Sequence, residues 1–117
     1  MEVQAITKNI RMSAQKMREV VRQIQGMPAV QAQAVLAVVP RKGARFVAKT
    51  LKSAMANAED LKLHKPEYQN LQTEKLRVKF ALAGTAGNAK RFIPKARGSA
   101  GPIIKRSCHV KIVLSDE

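Results

Sequence analysis

Ten lysines and arginines fall between Lys75 and Ser115, and no aspartate or glutamate interrupts them: Lys75, Arg77, Lys79, Lys90, Arg91, Lys95, Arg97, Lys105, Arg106 and Lys111. Cations without carboxylates cannot pair internally, and they lack the acid and base that proton-transfer catalysis requires. Their chemistry is the capture of a polyanion, in which each neutralised phosphate releases condensed counterions. The densest part is Lys90, Arg91, Phe92, Ile93, Pro94, Lys95, Ala96, Arg97 and Gly98, followed by Lys105 and Arg106. RNA is the expected polyanion. Phe92 beside Pro94 could stack on an unpaired base, or it could pack across a hairpin on Ile103 or Ile104; the sequence leaves both open.

Two further basic groups accompany this cluster. Arg11, Lys16 and Arg18 flank the start of a predicted helix, where backbone N–H groups also favour anions. Lys75, Arg77 and Lys79 share one face of a predicted strand. His109 is expected on an exposed strand position near the RNA. His109 and His64 lie far apart in sequence, and metal binding and general-base work are not expected of them. Cys108 is the only cysteine, which excludes an intramolecular disulfide. It alternates with inward-facing residues and reads as a buried, inert thiol. The Gly84–Lys90 stretch lacks the spacing of a nucleotide-binding phosphate loop. The expectation is a binding protein, not an enzyme, with no cofactor.

The elements that carry these residues follow from periodicity. Val3–Thr7 reads as a short strand. Ser13 is a helix cap, and Met17, Val20, Val21 and Ile24 fall at i, i+3, i+4 and i+7, one apolar stripe. Gly26 and Pro28 end that helix. A short apolar helix over Val30–Val39 is expected next. A third helix starts near Pro40, with Ala44, Ala48, Leu51, Met55 and Ala58 on one side, widened by Val47 and Ala54. Asp60 to Thr73 reads as a surface loop. The period then changes to two: Leu76, Val78, Phe80 and Leu82 point in, and Lys75, Arg77, Lys79 and Ala81 point out. Cys108, Val110, Ile112 and Leu114 alternate likewise in the last strand. The 22 residues between, Ala83 to Ile104, far exceed an ordinary hairpin loop. They predict a projecting antiparallel arm reaching roughly 35 Å, marginal when alone and ordered by its partner.

Composition agrees with this picture. The chain has 117 residues, 22 Lys and Arg against 8 Asp and Glu, and a net charge of +14. One domain over residues 1–117 is the prior for this length, with the extended hairpin at about 83–104. Four aromatics leave an aliphatic core. No basic leader followed by an apolar stretch opens the sequence, and no apolar run approaches the ~20 residues of a membrane span. A cytoplasmic protein without a membrane partner is expected.

Three segments resemble one family. Arg11-Met12-Ser13-Ala14-Gln15-Lys16-Met17-Arg18, continuing to Ile24 and Gly26, is similar to the opening helix of the large-subunit ribosomal proteins numbered twenty-two, of bacterial type. Ser53-Ala54-Met55-Ala56-Asn57-Ala58 resembles their third-helix motif. Lys90 to Ser99, then Lys105-Arg106-Ser107-Cys108-His109-Val110-Lys111-Ile112, resembles their hairpin and closing strand. The resemblance implies an α+β fold: a small three-stranded antiparallel sheet packed with three helices, plus a long protruding β-hairpin. It implies binding to large-subunit ribosomal RNA, a role in subunit assembly, and neighbouring ribosomal proteins as partners. It also implies a hairpin tip, about Lys90 to Gly98, that lines the nascent-peptide exit tunnel and meets the nascent polypeptide. No homo-oligomer is expected. One departure is Gly84-Thr85-Ala86-Gly87-Asn88, where the family usually carries an acidic turn; its loss leaves the arm more uniformly cationic. The competing reading is an architectural DNA-binding protein. No exposed two-helix recognition motif supports it.

Overall fold

The computed structural model describes residues 1–116. In chain order the elements are strand β1 (Glu2–Ile10), helices α1 (Ala14–Ile24), α2 (Ala29–Val38) and α3 (Lys42–His64), then strands β2 (Arg77–Thr85), β3 (Ala89–Pro94), β4 (Ala100–Lys105) and β5 (Cys108–Ser115). The sheet order is β1–β5–β2, antiparallel throughout, and β3–β4 form a separate two-stranded ribbon. This is the expected α+β fold.

The helices cover one face of the sheet: α1 packs on β2, α3 crosses β1 and β5, and α2 lies on α3. Ser13 caps α1, its Oγ accepting from the Lys16 N–H at 3.4 Å. Met17, Val20, Val21 and Ile24 are all buried, as their spacing predicts. Gly26 takes φ +80°, a conformation costly for any residue with a Cβ. There the chain turns onto β2: the Gly26 N–H donates to Val78 O at 2.8 Å, and the Val78 N–H donates back to Met27 O at 2.9 Å. In α3 the small residues Ala44, Ala54 and Ala58 are buried and let the sheet come close. One buried polar group in α3, Thr50, is fully satisfied. Its hydroxyl donates to Phe46 O at 2.8 Å, so Thr7 Oγ1, 2.7 Å away, must donate to it.

Two expectations fail locally. The segment read as a loop from Asp60 is helical through His64 and then makes short 3-10 turns at Pro66–Tyr68 and Thr73–Lys75. The helix stops at Lys65, which is extended because it precedes a proline. Leu71, within the same stretch, is buried. In β2 the alternation changes phase. A bulge sets Lys79 and Phe80 where one residue should stand, the register slipping between Val78 and Phe80. Ala81 and Ala83 therefore point inward, while Phe80 and Leu82 are about half exposed. The physical reason is α1: Gln25 Nε2 donates to Ala81 O at 2.7 Å and Arg18 Nε to Ala83 O at 3.0 Å. A helix held that close leaves room for alanine and none for phenylalanine.

β5 is the middle strand, and Cys108, Val110, Ile112 and Leu114 have no exposed surface. Beyond the sheet, β2 and β5 run on into the ribbon through Ala86–Asn88 and Arg106–Ser107, with the Ala86 N–H on Ser107 O at 3.1 Å. The molecule spans 67 × 28 × 16 Å. Its radius of gyration, 17.7 Å, exceeds the roughly 13 Å of a compact chain this long. The β3–β4 arm accounts for the difference.

Candidate nucleic-acid interface

The arm is built by strand pairing from Ala89↔Lys105 to Pro94↔Ala100. Its tip closes with the Lys95 N–H on Ser99 O at 2.6 Å and Ser99 Oγ donating to Ala96 O at 2.8 Å. Arg97 and Gly98 both adopt positive φ, 59° and 72°. That turn aims the Arg97 position outward at the end of the molecule. The aliphatic stem of Lys95 lies over Gly101, where a Cβ would meet Lys95 Cε at 2.5 Å. Arg91 Nη1 donates to Lys90 O at 2.8 Å. Lys90, Arg91, Lys95, Arg97, Lys105 and Arg106 are all exposed. Among the described residues none of the six has a carboxylate partner.

At the root of the arm the fold assembles residues that are far apart in sequence. A cleft of about 500 Å³ is lined by Lys16, Arg18, Thr85, Asn88 and Arg106 together with the Ser13 cap. The start of α3 lies beside it. Lys42 Nζ donates to Arg11 O at 3.3 Å, and Gly43 sits so close to Met12 and Met17 that a Cβ would lie 3.0–3.2 Å from their atoms. Neither α1 nor α3 has an acid in its first turn. Each instead presents cations there, Lys16 on one and Lys42 with Arg45 on the other. Cations at a helix N-terminus oppose the macrodipole, and an external anion relieves both. Arg11, Lys16, Lys42 and Arg106 thus share one end of the body with the arm.

The third predicted group is not brought there. Lys75 ends a 3-10 turn ahead of β2 and so does not share the strand face expected of it, and Arg77 opens β2 at the end opposite Thr85, roughly 26 Å away at strand rise. Lys79 is paired with Glu2 across the middle strand and lies 5.7 Å from the centroid of the Phe80 ring. The Lys79 ammonium, hydrogen-bonded to Glu2, holds that carboxyl below the usual carboxylate range. Two other predicted residues carry structural duties. Arg18 Nε is committed to Ala83 O. His109 is half-buried, and its Nδ1 accepts the Asn9 N–H at 3.0 Å, holding Asn9 at φ 58° where β1 bulges. An exposed strand histidine was expected; the ring instead pins the end of β1. Burial pushes the Cys108 thiol up, as suits an unreactive core residue.

Sequence reasoning missed Lys42, Arg45, Thr85 and Asn88. The Arg41-Lys42 pair directly after Pro40 was the available signal for the first two, since Pro40 marks a helix start. Nothing in the sequence announces the other two, because their neighbours in the cleft come from α1.

A family model described as "Ribosomal protein L22p/L17e" matches residues 5–115. The large ribosomal subunit protein uL22 of Opitutus terrae is 49% identical over 116 residues, covering 99% of this chain and 96% of the relative. The protein of that name from Akkermansia muciniphila is 42% identical over 117 residues, covering 100% and 98%. The Chloroflexus aggregans protein is 39% identical over 117 residues, covering 100% and 97%. With the match running through body, arm and closing strand alike, the chain belongs to the ribosomal protein L22p/L17e family.

Proposed function

We propose that this protein is a structural constituent of the large ribosomal subunit that binds its ribosomal RNA and supports subunit assembly. The arm, on this reading, runs inward between RNA segments, and its tip at Lys90 to Gly98 lines the nascent-peptide exit tunnel. The observation that carries the proposal is the arm itself. It is a two-stranded ribbon standing away from the body, with six exposed cations and no acid within it. A ribbon of this kind is marginal in water and is stabilised by a polyanion along its length.

The interface divides into the arm, with Lys90, Arg91, Lys95, Arg97, Lys105 and Arg106, and the root, with Arg11, Lys16, Arg18 and His109. Phosphate contacts of this kind set position, and the shape of folded RNA supplies selectivity. Lys75, Arg77 and Lys79 form a separate, weaker contact at the far end of the sheet. Body and arm act as one domain. Neighbouring ribosomal proteins and the nascent polypeptide are the remaining partners, and the protein works in the cytoplasm as a single copy. Among the described residues no helix is long and apolar enough to cross a membrane.

Co-sedimentation tests this reading. The protein is expected to travel with large ribosomal subunits and to stay there after a high-salt wash. Its recovery in the free fraction, or its ready displacement from structured RNA by duplex DNA, counts against it.

A further inference from the structure

The register of the arm sorts its side chains onto two unlike faces. Residues directly opposite in an antiparallel pair share a face. Arg91 opposes Ile103 and Ala89 opposes Lys105, with Ile93 opposite Gly101. On this face the apolar atoms are partly shielded: Ile103 is half-buried, Gly101 is buried beneath the Lys95 stem, and only Ile93, 37% exposed, remains open. Long cationic side chains cover apolar surface while keeping their charges in solvent. The other face carries Phe92 opposite Pro102 and Pro94 opposite Ala100, with Lys90 opposite Ile104 at the root end. It is bare. Phe92 is 75% exposed and Ile104 42%. Packing of Phe92 across the hairpin, the bland alternative, is not what the structure contains.

We propose that the arm divides RNA between these faces: the Phe92 face stacks on unpaired nucleobases, and the Arg91 face holds phosphates. The proposal rests on the ribosomal-RNA reading above and extends it from charge to base contact. Three observations select nucleobases over a protein as the occupant. An apolar protein surface laid on Phe92 would meet Lys90 on the same face, at the edge of an arm with no carboxylate to offset its charge, whereas a base arrives with its own phosphate. Each strand of the ribbon carries a proline, Pro94 in β3 and Pro102 in β4, which hinders addition of a third strand from a peptide. The exposed flat surfaces, an aromatic ring between two prolines, match the π-face that every base presents.

A salt series with a full-length transcript of large-subunit ribosomal RNA tests this. Phe92→Ala is expected to weaken binding by about five- to 150-fold, the range for loss of one stacked base, and to leave the slope of log affinity against log salt unchanged. Arg91→Ala is expected to reduce that slope by about 0.7 per phosphate lost. Because the chain contains no tryptophan, Phe92→Trp adds a single indole whose emission, excited selectively over that of Tyr68, stacking should quench. Wild-type affinity in Phe92→Ala, or an unquenched Trp signal in the complex, overturns the proposal and leaves the face to a protein. Failure of the wild-type protein to bind the transcript at low salt is a different result and overturns the RNA reading itself.

Discussion

The body and the arm of this molecule are held by opposite means. In the body, Met17, Val47, Leu51, Val78, Ile112 and Leu114 are buried without remainder. The acids that the fold uses are there too: Glu2 meets Lys79, Glu19 meets Arg41, Asp60 meets His64, and Asp116 meets the N-terminal ammonium. In the arm, β3 has no buried residue, its hydrogen bonds are its own, and its charges share one sign. Stability is therefore concentrated in one region and binding capacity in the other. Six of the 22 Lys and Arg lie in the arm, and there their repulsion is strung along a ribbon and not gathered around the core.

The strongest challenge to this division is a core truncation. Leu51→Ala is expected to lower unfolding stability by about 2–5 kcal/mol, readable in urea denaturation, whereas Ile104→Ala in the arm should leave the midpoint unchanged. Equal losses from the two would mean that arm and body melt together. Charge reversal in the arm comes next. Arg91→Glu, Lys95→Glu and Arg97→Glu combined should reduce RNA affinity about 10²-fold near 0.1 M salt and flatten the salt slope. The body's melting temperature should not move. Unchanged affinity in filter binding would reassign the interface to the root.

A smaller effect is expected where the chain ends meet. Asp116 accepts from the Met1 ammonium at 3.1 Å and from the Gln72 N–H at 3.3 Å, and the first of these holds its carboxyl below the usual range. A carboxyl lowered on folding stabilises the protein above its ordinary titration range, and that contribution disappears as pH falls through the folded value. Asp116→Asn should therefore cost about 0.5–1 kcal/mol at pH 7 and progressively less as pH falls through the folded carboxyl's lowered titration range; a cost that did not change with pH would show a steric effect. The smallest change is expected from removing Ala89 to Ser99. The shortened protein should still melt cooperatively near the wild-type temperature, followed by circular dichroism. A broad, non-cooperative transition would show that the sheet depends on the arm.

The parts of this architecture that repeat at one clear period were readable in the sequence. Met17 to Ile24 and Cys108 to Leu114 each face a single surface, so spacing alone locates them. The end of α3 was not readable, because Glu59 to His64 contains exposed polar side chains and Leu63 is itself 80% exposed. Only Leu61, half-buried and in phase with Ala54 and Ala58, carried the stripe into the final turns, and the stop lay in Pro66. The β2 bulge was hidden for a different reason. Phe80 and Leu82 are in phase with Val78, and only the closeness of α1 shows why alanines take the inner positions. The arm's charge was legible as composition. The grouping of Lys16, Lys42 and Arg106 was not, since it depends on two helix starts meeting beside the last strand's root.

The arm has two rails, and both continue into the sheet: one into the edge strand β2, the other into the middle strand β5. The root joint therefore behaves as a lever pivot with unequal anchors. Along a ribbon of about 30 Å, a swivel of about 5° at Ala86–Asn88 and Arg106–Ser107 carries the tip roughly 3 Å, the width of a water molecule. Small displacements at the distant end return along the same rails to one strand paired on a single side, β2, and one paired on both, β5.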